Sequence, residues 1–239
     1  MKVELLYNSP LWVCSKAIRK CWASEDKSDT CLHNEIVFDI DGSAECKDCG
    51  YIYNSMHDLL PEAGVKDKEL IERVGNKNKH ASTLEHLVYT FDIDGISRAC
   101  LQELARHRHA SISVKSTRYT LKELKNTLIG SADFRKFVVW TDNMSTNSTI
   151  MAQLAELKKL LDLGVSNDVA KFALPEAYKT SLVWTVNARS LQNFLELRTN
   201  KAALWEIREL AYELYNRLPE EHKYLFFDSL YQDTKTKGQ

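Results

Sequence analysis

Apolar and polar positions alternate with period two in two stretches that lie far apart in the chain. From His86 to Asp94, Leu87, Tyr89, Phe91 and Ile93 fall on one side, and Val88, Thr90 and Asp92 fall on the other. That period predicts a strand with one face buried. Tyr178 to Val186 alternates in the same way, and residues 2 to 7 read as a further strand. Between these stretches the spacing is helical. Ser9-Pro10 supplies a cap and a proline at the first helical position, opening a helix that runs to Ala23. Lys66 to Val74 is a second helix, with Gly75 placed to end it. Asp94-Gly95 turns the chain, after which Ile96, Cys100 and Leu104 form one stripe of a helix reaching His109.

Further on, Ser148 caps a long helix that stops at Gly164, and Ser166 caps a shorter one halted by Pro175. Helices are also predicted over Ala188 to Arg198 and Lys201 to Leu218, with a short last helix after Pro219 and a frayed polar tail, DTKTKGQ. The whole reads as α+β: helices packed on a mostly antiparallel mixed sheet, in a single domain spanning residues 1–239.

Composition narrows the classes available. A chain of 239 residues that is 44% hydrophobic buries a sizeable core. Its 32 Lys and Arg against 33 Asp and Glu leave no global field to draw the surface onto nucleic acid or an anionic membrane, so any basic site is local. No apolar run approaches the roughly 20 residues that span a bilayer, and MKVELLYNSP lacks the pattern of a signal peptide. A cytoplasmic location is expected, where the six cysteines stay reduced.

Residues 30–64 break the rhythm and read as a small insertion between the first two helices. Cys31-Leu32-His33 and Cys46-Lys47-Asp48-Cys49-Gly50 flank a strand candidate, Glu35 to Ile40, and a hairpin signal, Asp41-Gly42. The pattern resembles a zinc ribbon. C-x-x-C lets two thiolates converge on one tetrahedral ion, and Cys31 with His33 or His57 completes a set of four. The metal candidates are Cys31, His33, Cys46 and Cys49; the alternative is a reduced loop with incidental cysteines.

The densest chemistry is Arg106-His107-Arg108-His109 and the segment from there to Tyr119. Consecutive basic residues cannot share a helical face, so they radiate from a helix end, where cations also complement the dipole. If the chain leaves that end extended, Ile112, Val114, Ser116 and Arg118 share one side: an apolar wall leading to a hydroxyl and a guanidinium. Such a wall suits a planar base carrying a phosphate, which arginine grips with two parallel hydrogen bonds. The plainer alternative is a solvated basic helix end. No G-x-G-x-x-G and no G-x-x-x-x-G-K-[ST] occurs, so phosphate binding falls to side chains and helix ends. Cys14, Cys21 and Cys100 lie on predicted helices and are read as core, not as nucleophiles.

Arg106-His107-Arg108, seven residues, Ser116, one residue and Arg118 resemble the signature of the flavin-dependent thymidylate synthases. Asn187-Ala188-Arg189-Ser190-Leu191-Gln192-Asn193-Phe194-Leu195-Glu196-Leu197-Arg198 is similar to the family's NARSLxNFLxLR block, and His80-Ala81-Ser82-Thr83-Leu84-Glu85-His86 resembles its segment before the first long strand. The resemblance implies FAD contacts from Ser82, Glu85, Arg106, His107, Arg108, Asn187, Arg189 and Asn193. It implies nucleotide contacts from Ser116, Arg118 and Arg198, the residues closest to catalysis. Glu103 and Lys171 fall at substrate positions where the family often has glutamine and arginine, and His80 falls near the site shared by nicotinamide and folate. Ser113-Val114 departs from the Asn-Glu of many members, removing a carboxylate near the nucleotide.

The activity so implied is reductive methylation of dUMP to dTMP, with 5,10-methylenetetrahydrofolate as carbon donor and NADPH-reduced FAD as hydride carrier. The working form would be a homotetramer with flavin between subunits, without nucleic acid or membrane partners. Two rival readings are a zinc-ribbon nucleic-acid-binding module and an inactive flavoprotein of the same fold.

Overall fold

In the computed structural model, which describes residues 1–39, 43–53 and 61–232, the two alternating stretches lie side by side. β5 (Val88–Ser97) and β7 (Lys179–Asn187) pair antiparallel at the centre of a four-stranded sheet of order β1-β5-β7-β6. β1 (Lys2–Asn8) and β6 (Ala110–Val114) form its edges, both antiparallel to their neighbours. The sheet is therefore wholly antiparallel, without the mixed pairing that the sequence allowed. Register matches the apolar sets: Phe91 pairs with Trp184 and Ile93 with Leu182, which keeps every large side chain on the face that buries it.

That face is covered by α1 (Leu11–Cys21), α3 (Arg98–Leu104), α8 (Ala188–Arg198) and α9 (Trp205–Asn216), whose Ile18, Cys100, Leu104, Phe194 and Leu210 join the strand residues in one core. A second core is built by α4 (Thr117–Lys125), α5 (Ala132–Arg135), α6 (Met144–Asp162) and α7 (Asn167–Ala170) around Leu124, Phe134, Leu154 and Leu157. Each such leucine, fully removed from water, contributes about 1.5–3 kcal/mol. The insertion has its own small sheet, β2 (Ile36–Phe38), β3 (Ala44–Cys46) and β4 (Ile52–Tyr53), over a cluster of Ala44, Cys46, Cys31 and Ile36.

A buried carboxylate ties the insertion's stem to the body. Asp67, on α2 (Val65–Ile71), accepts from Ser15, Ser28, Thr30 and Arg19 at 2.6–3.2 Å. Burial alone would raise its pKa, but the hydrogen bonds from Ser28, Thr30 and Arg19 outweigh it and hold the carboxyl below its usual range.

Several boundaries fall elsewhere than the local signals place them. Pro10 is itself the cap residue of α1, because the Ser9 hydroxyl accepts from the Val88 N–H at 3.0 Å. Gly75 does not end a helix; α2 runs into a π-helical segment, Glu72–Lys77, and a Cβ at Gly75 would lie 2.8 Å from Leu84 Cδ2. Close packing, not termination, requires that glycine. Asp94-Gly95 is a bulge and not a turn: the register shifts there, Gly95 takes φ +78°, and β5 continues to Ser97. Ser97 then caps α3, which ends at Leu104, short of His109. Asn143, not Ser148, caps α6 through its bond from the Thr146 N–H. The helix expected from Lys201 is confined to Trp205–Asn216, and the segment after Pro219, Glu220–Leu225, is 3₁₀. Cys14 and Cys100 are buried as expected, whereas Cys21 is exposed. Asp41-Gly42, His57 and the tail from residue 233 lie outside the described residues.

Candidate active site

α3 stops at Leu104 and the chain leaves it through a turn closed by the His107 N–H to the Leu104 carbonyl, 3.0 Å. That turn sends the basic residues in different directions. Arg106 and Arg108 are exposed, whereas His107 packs inward with its ring edge-on to Phe194, centroids 4.9 Å apart. Phe194 in turn rests on Trp184 at 5.1 Å, and Trp184 stacks on Phe91. A ladder of rings thus runs from the centre of the sheet to the imidazole and fixes its plane.

Arg198, in the last turn of α8, completes the group. Its Nε donates to His107 Nε2 at 3.0 Å, its Nη1 to a Glu103 carboxylate oxygen at 2.5 Å, and its Nη2 to the Glu103 carbonyl at 3.1 Å. A guanidinium has only donors, so His107 Nε2 must be the unprotonated nitrogen and Nδ1 carries the proton. Burial first, and then the Arg198 charge against the opposing pull of Glu103, push the His107 pKa down to about 4. At neutral pH His107 is therefore a neutral donor and not a cation.

The structure pairs each of three site arginines with a carboxylate. Arg198 holds Glu103, Arg189 holds Glu85 at 2.7 Å, and Arg118 holds Asp168 at 2.7 Å. The last two pairs are about half exposed, so they stabilise the fold by under about 1 kcal/mol. Arg106 and Arg108 form no ion pair among the described residues. The pair Arg189–Glu85 joins α8 to the 3₁₀ segment Ala81–His86, which also carries Ser82 and comes directly after His80, both exposed. Beneath that segment Leu84 is fully buried and the Cys14 thiol donates to the Thr83 carbonyl. Asn187 caps α8, its side-chain oxygen accepting from the Ser190 N–H at 2.8 Å; Asn193 is exposed.

The segment after the basic cluster does not stay extended. β6 ends at Val114, Ser116 takes the cap position of α4, and Arg118 lies in that helix's first turn. The single side of Ile112, Val114, Ser116 and Arg118 therefore does not form, because the second core needs Leu121 and Leu124 on a helix. Lys171 lies near this end, its ammonium 5.8 Å from the ring of Phe172 on a 3₁₀ turn that packs on α4. Arg108 and Ser116 stand at opposite ends of β6, which is about 16 Å long. Within one chain the structure thus brings together Glu103, His107 and Arg198, and Glu85 with Arg189, but not Arg118 with Arg198.

Two features have no counterpart in the sequence motifs. Asp168 as the partner of Arg118 has no local signal, since the two are 50 residues apart. A cavity of about 490 Å³ opens directly after Arg198, lined by Thr199, Lys201, Arg208, Tyr212 and Tyr231. Arg208 and Tyr212, four apart on α9, form a basic and aromatic stripe that helical spacing makes legible. Among the described residues no helix is long and apolar enough to cross a membrane.

The family model for the thymidylate synthase complementing protein matches residues 5–222. The chain is 51% identical to a flavin-dependent thymidylate synthase of Wolinella succinogenes, over 95% of this chain and 97% of that one. It is 49% identical to one from Campylobacter jejuni, over 98% and 99%. A crystal structure of thymidylate synthase X from Helicobacter pylori with FAD and dUMP is 44% identical and superposes with a TM-score of 0.79, covering 97% of this chain and all of that one. Fold, motif residues and relatives agree, and the chain belongs to the family of flavin-dependent thymidylate synthases.

Proposed function

We propose that this protein converts dUMP to dTMP, taking the carbon from 5,10-methylenetetrahydrofolate and the reducing equivalents from NADPH through FAD. The observation that carries this reading is the bond from Arg198 to His107, which joins two motif blocks 91 residues apart in the chain into one side-chain group. The donor set fits a dinucleotide held without a glycine cradle: Arg106 and Arg108 are exposed and free of carboxylates among the described residues. They hold the pyrophosphate, while His107 presents its Nδ1–H, and Ser82, Glu85, Asn187, Arg189 and Asn193 surround the rest of the cofactor. Bound FAD supplies the hydride transfer. The protein contributes alignment and charge neutralisation, which are the terms that geometry controls.

Arg118, Ser116 and Lys171 bind the nucleotide at one end of β6, and Arg198, oriented by Glu103, binds it at the other; His80 borders the position of nicotinamide and folate. Because the two ends of β6 are too far apart for one nucleotide, the complete site takes residues from more than one copy. A homotetramer with flavin at its interfaces meets that need, and Phe172, 86% exposed beside Lys171, is a side chain for such an interface. The free thiols suit a reducing cytoplasm. Residues 1–239 form the synthase domain, with residues 30–64 as an inserted zinc-ribbon-like subdomain.

Purified protein should carry a yellow flavin spectrum that NADPH bleaches, and should release tritium from dUMP labelled at C5 when folate and NADPH are present. A colourless protein that binds DNA with steep salt dependence would favour the nucleic-acid module instead. A yellow protein without tritium release would favour the inactive flavoprotein.

A further inference from the structure

The insertion gathers four metal-ligating side chains that the proposed chemistry does not use. We infer that Cys31, His33, Cys46 and Cys49 bind one zinc ion, which clasps the insertion and fixes the entry to α2.

The four side chains are close enough to share one ion. One ligand atom from each of the four lies within 4.8 Å of the others, with Cys31 Sγ 3.6 Å from Cys46 Sγ and Cys49 Sγ 3.6 Å from His33 Nδ1. Zinc bonds of about 2.3 Å to sulfur and 2.0 Å to nitrogen give tetrahedral edges of about 3.6–3.8 Å. A sulfur separation of that size is no disulfide, and all six cysteines are free. Three thiolates and an imidazole select zinc over the hard cations, and four protein ligands leave no open coordination position, so the site is structural.

The backbone is arranged to receive the ion. Cys46 opens a tight turn closed by the Gly50 N–H to the Cys46 carbonyl at 2.7 Å, with Gly50 at φ +73°, and the His33 N–H donates to Cys31 Sγ at 3.4 Å. His33 is buried and adopts φ +51°, in the left-handed region that few non-glycine residues occupy. The surrounding apolar cluster is small, and Phe38, Tyr51 and Ile52 remain 44–62% exposed. A sheet this short, with so little burial among the described residues, calls for a covalent or metal staple.

Two of the ligands, Cys31 and His33, sit where the insertion begins. Cys31 pairs with Glu62 across the base of the insertion, N to O in both directions at 3.1 and 3.3 Å. Two residues earlier, the Asp29 carboxylate accepts from the Lys66 and Asp67 N–H groups at 2.8 and 2.9 Å, satisfying the first turn of α2. Fixing Cys31 therefore fixes the residues that cap α2 and surround Asp67.

The whole protein, purified without added metal, should contain about one zinc per chain by elemental analysis. Titrating its thiols with a mercurial should release that zinc in step with modification. Cys46→Ser and Cys49→Ser should lose the metal, and Cys21→Ser, which changes an exposed thiol outside the cluster, should keep it. Cobalt exchanged into the wild type should show the absorption of a tetrahedral thiolate site, to the red of the flavin bands, which does not depend on any variant folding. Wild-type protein with no metal, or with the same metal content after Cys46→Ser, would overturn the inference. Flavin content and tritium release are read on the same samples, so failure of the synthase reading is separable from failure of the metal site.

Discussion

Arg198 donates to His107 through Nε, and the same guanidinium grips Glu103 through both remaining nitrogens. One side chain thereby sets the tautomer of the histidine and the position of the carboxylate. If Arg198 also holds the nucleotide, Arg198→Ala should raise the KM for dUMP by about ten- to a hundred-fold, the cost of one or two charge-assisted hydrogen bonds. FAD content of the purified protein should change little. Unaltered dUMP affinity would refute the assignment.

Stability should fall on acidification in a window set by two histidines. Burial lowers His107 and His222 to about 4, from an unfolded value of about 6.5. His222 accepts or donates at 2.8 Å with the Tyr89 hydroxyl and must stay neutral in that buried setting. Between pH 6.5 and 4 the unfolded chain binds more protons than the folded one, so stability is complete above the upper limit and lost as pH falls through the window. Urea midpoints measured at about pH 7, 5.5 and 4.5 should decrease in that order. A flat profile would contradict neutral histidines in the fold.

Gly75→Ala tests the packing under the segment Ala81–His86, which is proposed to contact the flavin. The added Cβ would lie 2.8 Å from Cδ2 and 3.0 Å from Cγ of Leu84, a side chain with no exposed surface to retreat into. Overpacking of this kind costs about 1–3 kcal/mol. Since Leu84 lies between Ser82 and Glu85, the variant should also bind FAD more weakly. Thermal unfolding and flavin titration check both effects; wild-type FAD affinity at reduced stability would detach this segment from the cofactor.

Asp168→Asn tests whether a carboxylate competes with the nucleotide phosphate for Arg118. The pair is 2.7 Å long and more than half exposed, so its loss should alter stability by less than about 1 kcal/mol. Freeing Arg118 should lower the KM for dUMP, most visibly at low ionic strength where exposed charges interact furthest. A higher KM would mean that Asp168 positions the guanidinium and does not mask it.

Much of the fold is legible in the sequence because it depends on periodicity. The alternation around Phe91 and Trp184 marks both central strands and their buried faces, and Cys100 and Leu104 are buried on α3 as the helical spacing expects, whereas Ile96 belongs to β5. Boundaries are less legible wherever a distant residue changes the meaning of a local signal. Gly75 carries the mark of a helix end but serves Leu84, and Asp94-Gly95 carries the mark of a turn but bulges a strand that continues. Ser9, a good cap by type, is taken by the Val88 N–H.

For the site, the order of residues along the chain is enough to establish which chemical groups are present and in which blocks: the Arg-His-Arg run, the Asn-Ala-Arg block, and the C-x-x-C with its flanking C-x-H. These are properties of short spans, set by covalent spacing. Folding in three dimensions is what makes His107 neutral, gives Arg118, Arg189 and Arg198 a carboxylate each, and has Ser116 start a helix in place of extending a strand. Charge state and pairing depend on burial and on partners up to 104 residues away, as with Arg189 and Glu85, and no local pattern encodes that separation.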